Sequence, residues 1–368
     1  MNALVELQAY GQSFWYDNMR RKLLLDGTLA NLIARDGLRG VTSNPTIFEK
    51  AIGGSDDYDA QIGELAAAGV GLKAVYEALV MADIRLACDL FADLYRQTRG
   101  ADGFVSLEVS PHLAHDTEGT VAEAQRLFGE VNRPNLMIKV PATPAGIPAI
   151  RRLLSLGLNI NITLMFSLAH YDAVARAYLD GLADWVESGG DPTGAASVAS
   201  FFVSRVDSAV DKSLAALANP AADALLGQIA IANCKIVYQR FQDIFYGPAF
   251  AALRAAGARP QRLLWASTSA KNPAYPDTLY VDNLIGPETV NTMPPATVEA
   301  FRHHGRPAQT LTQDLDGARR ALTALDALGI DLNAVAEQLQ VEGVDAFAHS
   351  FDALFAALQA KARAGLPA

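Results

Sequence analysis

Apolar and polar residues alternate with period two in short segments of the chain, and much longer stretches with helical spacing separate those segments. In 158–164, Leu158, Ile160, Ile162 and Leu164 share one side of an extended chain, while Asn159, Asn161 and Thr163 share the other. In 104–110, Val105, Leu107 and Val109 oppose Ser106, Glu108 and Ser110. Strand-like runs occur at LRGVTSNP (38–45), GFVSLEVSP (103–111), NLMIKVPA (135–142), GLNINITLMFS (157–167), ASVASFFVSRV (196–206), RLLWASTS (262–269) and ETVNTMPP (288–295). A further short strand around SFWYDNM (13–19) brings the number to that of a closed barrel. The connections are Ala/Leu-rich, as in 70–97, 168–187 and 206–257, with turn signals at Gly189-Gly190, Asn219-Pro220 and from Gly257 to Pro260.

Strands alternating with helices predict βαβ units and a parallel sheet. In a doubly wound sheet both strand faces lie under helices and read as apolar. The polar second face here fits a barrel whose outside packs on helices and whose inside holds chemistry near the strand ends. The expected fold is α/β, a (β/α)8 TIM-type barrel. It is expected to be one domain over 1–368, with 308–368 as additional C-terminal helices packed on the barrel. Repeats, low-complexity tracts and a convincing linker are absent from the sequence.

Composition narrows the classes. The chain is 51% hydrophobic and 19% charged, enough apolar residue to bury a large core and too much for disorder. A formal net charge of −10 argues against nucleic acid or an acidic membrane as partner, because both need a basic surface. An anionic substrate would need a local cationic pocket. Cys88 and Cys234 lie far apart in apolar contexts without ligand spacing, and read as buried thiols of a reducing compartment. The N-terminus lacks a secretion-signal pattern, and no run reaches the ~20 apolar residues of a membrane span. The expected location is the cytoplasm.

Among eight lysines, Lys139 stands apart, because it lies mid-strand between Ile138 and Val140. A buried lysine is driven towards the neutral amine, the form that attacks a ketone to make an imine. The alternative is a lysine that reaches solvent at the strand end or pairs with a carboxylate. Glu108 lies on the polar face one βα unit earlier, either as a general acid/base or as a salt-bridge partner of that lysine. Asp17 follows Phe14-Trp15-Tyr16; it reads as a cap or surface acid, or, if a strand ends there, as an acid pointing into the barrel mouth.

Asn44, Asn161 and Thr163 are neutral hydrogen-bonding residues of the kind that polyol recognition needs. For Asn44, the turn chemistry of Asn-Pro competes with that reading. Arg205, Ser267 and Lys271 follow late strands, where this architecture tends to hold phosphate, and surface basic residues are the plain alternative. Glu108, His112 and His115 form ExxxHxxH, but Pro111 breaks the segment and no third strong ligand pattern appears, so no metal is expected. Neither GxGxxG at a strand–helix junction nor GxxxxGK[ST] occurs, and no nucleotide cofactor is expected.

The ordered segments GVTSNPTIFEKAI, SLEVSP, NLMIKVPAT, NINITLMFS and ASFFVSRVD resemble successive barrel-strand motifs of the transaldolase family, from about residue 10 to beyond 295. LYVDNLIGPETVNTMPPAT resembles its longer bacterial branch. The resemblance implies a cofactor-free transferase of the pentose phosphate pathway. Such an enzyme moves a dihydroxyacetone unit from sedoheptulose 7-phosphate or fructose 6-phosphate to glyceraldehyde 3-phosphate or erythrose 4-phosphate. Carried over by motif, Lys139 is the Schiff-base lysine, Asp17 the acid/base for carbon–carbon cleavage, and Glu108 with Thr163 the pair that positions water. Asn44, Asn161 and Ser200 would bind the dihydroxyacetone part, and Arg205, Ser267 and Lys271 the phosphate. In the family's shorter enzymes an arginine takes the place of Lys271, and the loop ASTSAKN here is longer. A lysine holds phosphate as a point charge rather than a bidentate fork.

Two other functions fit parts of this pattern. One is a fructose-6-phosphate aldolase that releases free dihydroxyacetone; the other is a non-catalytic sugar-phosphate-binding protein, which has no use for a buried amine beside two acids. A homodimer is compatible with any of these readings.

Overall fold

Each alternating run forms a strand. They are β1 (Gln12–Asp17), β2 (Gly40–Thr42), β3 (Phe104–Glu108), β4 (Leu136–Pro141), β5 (Ile160–Met165), β6 (Ser197–Phe202), β7 (Arg262–Ala266) and β8 (Thr289–Met293). The computed structural model describes residues 2–364. In it the strands pair in parallel in chain order, and β8 closes on β1 to complete a barrel. Nearly every strand residue is buried, the outward side chains under helices and the inward ones inside the barrel.

The strands stop where the sequence stops them. β2 ends at Ser43-Asn44-Pro45: Pro45 has no N–H to donate and suits the first helical position, and the Asn44 side chain accepts from Ile47 N at 3.0 Å. The pairing of β5 with β6 is irregular between Ile162 and Met165, and Leu164 takes a left-handed φ of 62° there. At the N-terminal end of the barrel Trp15 fills the floor against Gly40. A Cβ on Gly40 would lie 2.5 Å from the Trp15 ring, so only glycine leaves room for the indole. Trp15→Ala would open a cavity costing about 3–5 kcal/mol.

Helices Leu72–Gln97, Thr117–Val131 and Leu168–Glu187 follow the helical spacing of the sequence. The stretch 206–257 is instead broken into Ser204–Ala216, Pro220–Asp223, Ile229–Phe245 and Ala251–Ala255. Asn219 caps and Pro220 opens the second of these, so the Asn-Pro signal marks a real restart.

The C-terminal part forms two long helices, Leu315–Ala327 and Leu332–Ala364. The second spans 33 residues, about 50 Å, and crosses the C-terminal ends of the strands. Gln340 ties it there, its Nε2 donating to the carbonyls of Ala142 and Leu164 at 3.0 Å each. No helix among the described residues is long and apolar enough to cross a membrane.

Candidate active site

The parallel register places Glu108 opposite Lys139 and Lys139 opposite Asn161, so three neighbouring strands present these side chains at one height. Lys139 is 4% exposed, and its Nζ lies 3.5 Å from Glu108 Oε2 and 3.4 Å from the Ser43 carbonyl. The amine is thus held loosely by an acid and a carbonyl rather than locked in a short ion pair. Asn161 is fixed on both sides: Nδ2 donates to Ser106 Oγ at 3.0 Å and Oδ1 accepts from Ser200 Oγ at 2.6 Å. Thr163 stands opposite Pro141 on the next inward position of β5, and its buried Oγ1 has no protein partner among the described residues. Glu108 Oε2 likewise accepts no protein hydrogen bond.

Asp17 ends β1 at the mouth. Its Oδ1 accepts from Thr42 Oγ1 at 2.6 Å, and Thr42 is 2.7 Å from Thr292 Oγ1, so a hydroxyl relay from β8 through β2 reaches the carboxylate. Burial holds the Asp17 carboxyl above the usual carboxylate range, against the opposing pull of Lys139 and the Thr42 hydrogen bond. Burial raises Glu108 in the same way, again opposed by Lys139. Two acids near one amine, both easier to protonate than ordinary carboxylates, suit proton transfer.

The chamber above Lys139 has a volume of about 220 Å³. Asp17, Asn44, Lys139, Ser200, Arg205, Ser267 and Lys271 all line it, so seven of the ten residues singled out from sequence share one cavity. Glu108, Asn161 and Thr163 do not line it. Asn161 holds Ser200 in place, and Glu108 touches Lys139 from the side and borders a separate cavity with Tyr76, Phe351 and Phe355. Asn44 serves as both the helix cap and a chamber wall.

The cationic side of the chamber is built from the loops after β6 and β7. Arg205 sits in the first turn of helix Ser204–Ala216, and its guanidinium lies 5.0 Å from the Phe202 ring. Desolvation lowers the Arg205 pKa from its ordinary value, opposed by Asp17 and Glu108. Ser267 has a left-handed φ of 57°, and its hydroxyl meets Ser204 at 2.9 Å. Lys271 donates to Ser269 Oγ at 2.7 Å; partial desolvation, then Arg205 and Lys50, lower its pKa. A second chamber of about 460 Å³ continues outwards past Asn18, Thr46 and Lys50.

Residues missed in the sequence also face this site. Thr42 and Thr292 line the chamber, and both lie on inward period-two positions that could have been read from the strands. Phe202 lies on the inward face of β6. Phe347 arrives from the C-terminal helix with its ring 5.7 Å from Lys139 Nζ, and no local pattern announces it. His112, part of ExxxHxxH, turns away to Asp352 at 2.9 Å. Cys88 and Cys234 are buried and free.

The family model described as Transaldolase/Fructose-6-phosphate aldolase matches residues 14–358. The chain belongs to this family. It is 50% identical over 356 residues to a transaldolase of Thiobacillus denitrificans, covering 97% of this chain and 99% of that one. A transaldolase of Thermobifida fusca is 48% identical over 352 residues, covering 95% and 96% of the two chains. One of Trichodesmium erythraeum is 44% identical over 372 residues, covering 98% of each. The family match runs from β1 into the C-terminal helix, so both the strands that carry the acids and amine and the helix that carries Phe347 lie within it.

Proposed function

We propose that this chain is a transaldolase that transfers a dihydroxyacetone unit between ketose and aldose phosphates through an imine on Lys139, as a step of the pentose phosphate pathway. One observation carries the mechanism. A buried amine stands 3.5 Å from one carboxylate, shares a chamber with a second, and faces cations on the loops after β6 and β7.

The Lys139 amine attacks C2 of a ketose phosphate such as fructose 6-phosphate or sedoheptulose 7-phosphate. Water leaves the resulting carbinolamine, and the C=N bond becomes an electron sink. Asp17 takes the proton from the C4 hydroxyl, the C3–C4 bond breaks into that sink, and an aldose phosphate departs. Glyceraldehyde 3-phosphate or erythrose 4-phosphate then accepts the three-carbon unit, Asp17 returns the proton to the new hydroxyl, and water releases the product. The unpartnered Thr163 hydroxyl, with the Glu108 carboxylate that makes only a long 3.5 Å contact to Lys139, supports a role in holding that water. Asn44 and Ser200, which line the chamber, would hold the dihydroxyacetone hydroxyls, with Asn161 orienting Ser200 from behind. Arg205, Ser267 and Lys271 would hold the phosphate, Arg205 as the fork and Lys271 as a point charge. The reading needs no metal or organic cofactor and places the enzyme in the cytoplasm.

Incubation with fructose 6-phosphate and erythrose 4-phosphate tests the activity. Sedoheptulose 7-phosphate and glyceraldehyde 3-phosphate should form together, with little glyceraldehyde 3-phosphate when erythrose 4-phosphate is omitted. Sustained release of glyceraldehyde 3-phosphate and dihydroxyacetone without an acceptor would make the chain an aldolase. Formation of neither product would overturn the reading.

A further inference from the structure

Helix Leu332–Ala364 belongs to none of the eight strand–helix units, yet it roofs the chamber. Beyond Gln340 it is tied down again where Ser350 meets the Thr46 hydroxyl at 2.8 Å, where Asp352 meets His112, and where Lys361 donates to the Ser55 carbonyl at 2.7 Å. Between the first two ties, Gly343 lies against Leu164 and Arg205. A Cβ there would come within 2.8 Å of Leu164 Cδ2, so glycine lets the helix settle onto the rim.

One turn later Phe347 descends into the mouth, 4% exposed. Its ring lies 5.7 Å from Lys139 Nζ and 5.9 Å from the Arg205 guanidinium carbon, and it walls both the inner and the outer chamber.

After C3–C4 cleavage, the three-carbon enamine on Lys139 has two fates. Its nucleophilic carbon can attack an acceptor aldehyde, forming the new C–C bond. Alternatively, that carbon takes a proton, which Asp17 holds from the cleavage step. Water then adds to C2, the C–N bond breaks, and free dihydroxyacetone leaves as the Lys139 amine is restored. The second route consumes one water and involves no redox change. Hydrolysis of the imine ends both routes, so what divides them is protonation of the enamine carbon, and an aromatic ring over the amine keeps solvent, a further proton source, away from that carbon.

The geometry points to Phe347 as a specificity-determining residue for the ratio of transfer to hydrolysis. This rests on the imine at Lys139 proposed above. A purely structural role for Phe347 would change the amount of folded enzyme, which cancels in that ratio.

The test supplies fructose 6-phosphate with graded erythrose 4-phosphate and measures free dihydroxyacetone against sedoheptulose 7-phosphate. For Phe347→Ala the ratio should rise by at least ~10-fold, and for Phe347→Leu, which keeps most of the volume, by about threefold. Ratios within twofold of the parent in both variants, with transfer still measurable, overturn the role. If Phe347→Ala does not fold, an unchanged ratio in Phe347→Leu alone does so. Absence of transfer in the unaltered protein is a separate result that removes the transaldolase reading, and this inference with it.

Discussion

The two ends of the barrel carry similar residue types in opposite states. At the N-terminal floor, Arg262 donates to Asp102 and the Ala101 carbonyl at 3.1 Å each, to Ser13 Oγ at 2.6 Å and to the Thr289 carbonyl at 2.7 Å. Asp102 also accepts from Ser13 at 2.9 Å and from the Trp15 indole at 3.4 Å. Nearby, Arg39 is tied to Gln8, and Arg259 to the carbonyls of Gly100 and Arg99. At the C-terminal mouth, by contrast, Arg205 rests on aromatic rings and Lys271 on a serine, and neither forms an ion pair among the described residues. Asp17 and Glu108 are pushed up by burial.

Cavity size does not mark the site, since the floor holds about 430 Å³ and the inner chamber only about 220 Å³. What separates them is whether the charges have already spent their hydrogen bonds. A floor whose charges are committed to neighbours serves stability; a mouth with uncommitted charges has interactions left for a ligand.

Substitutions at the two ends should therefore separate along activity and stability. The largest loss of activity is expected for Lys139→Arg. Its guanidinium stays protonated and cannot form the imine, so turnover should fall to background while thermal unfolding still shows a folded barrel. Near-parental kcat would break the assignment.

Asp17→Asn should lower kcat by about 10²–10⁴-fold, as expected on losing a general acid/base. The same substitution should raise stability at neutral pH. Because the folded Asp17 pKa is raised, its contribution to stability is present below the usual carboxylate pKa of about 4 and is lost as pH rises through the folded value. Denaturant unfolding should show Asp17→Asn more stable than the parent near pH 7.5, with the difference closing towards about pH 4. A gain that is largest at low pH would contradict the burial argument.

Lys271→Met removes one charge-assisted contact of about 1.5–3 kcal/mol, and should raise KM for fructose 6-phosphate by roughly 10–100-fold. The effect should be smaller for unphosphorylated fructose, because the lysine then has no phosphate to hold. Equal effects on both substrates would remove Lys271 from the phosphate set. Asp102→Ala should affect the chemistry least. It strands Arg262 at the floor and should cost about 3 kcal/mol in urea unfolding, with kcat per folded molecule unchanged.

The strands were legible because a barrel needs one face for helices and one for its interior, and the polar residues of 104–110 and 158–164 lie on that second face. Lys139 was legible because a charge inside an apolar strand is anomalous wherever the chain folds, and Glu108 because it lies on the polar face one βα unit earlier. Thr42 and Thr292 lay on readable faces, but threonine is an ordinary strand residue and does not stand out.

Phe347 was not legible. Periodicity marks it as an apolar helix position and cannot tell which distant element that position will cover. Its placement over Lys139 depends on Gln340 and Gly343 seating the helix on the ends of β4 and β5, a tertiary arrangement. The breaks within 206–257 were visible as Asn-Pro and Gly signals, yet Ala/Leu-rich spacing on both sides masked how short the intervening helices are.

Borohydride reduction in the presence of fructose 6-phosphate, followed by peptide mass mapping, tests the central claim most directly. A reduced dihydroxyacetone adduct on the peptide carrying Lys139, formed only with donor present and accompanied by loss of activity, is the expected result. An unmodified Lys139, or an adduct on another lysine that tracks the loss of activity, would contradict it.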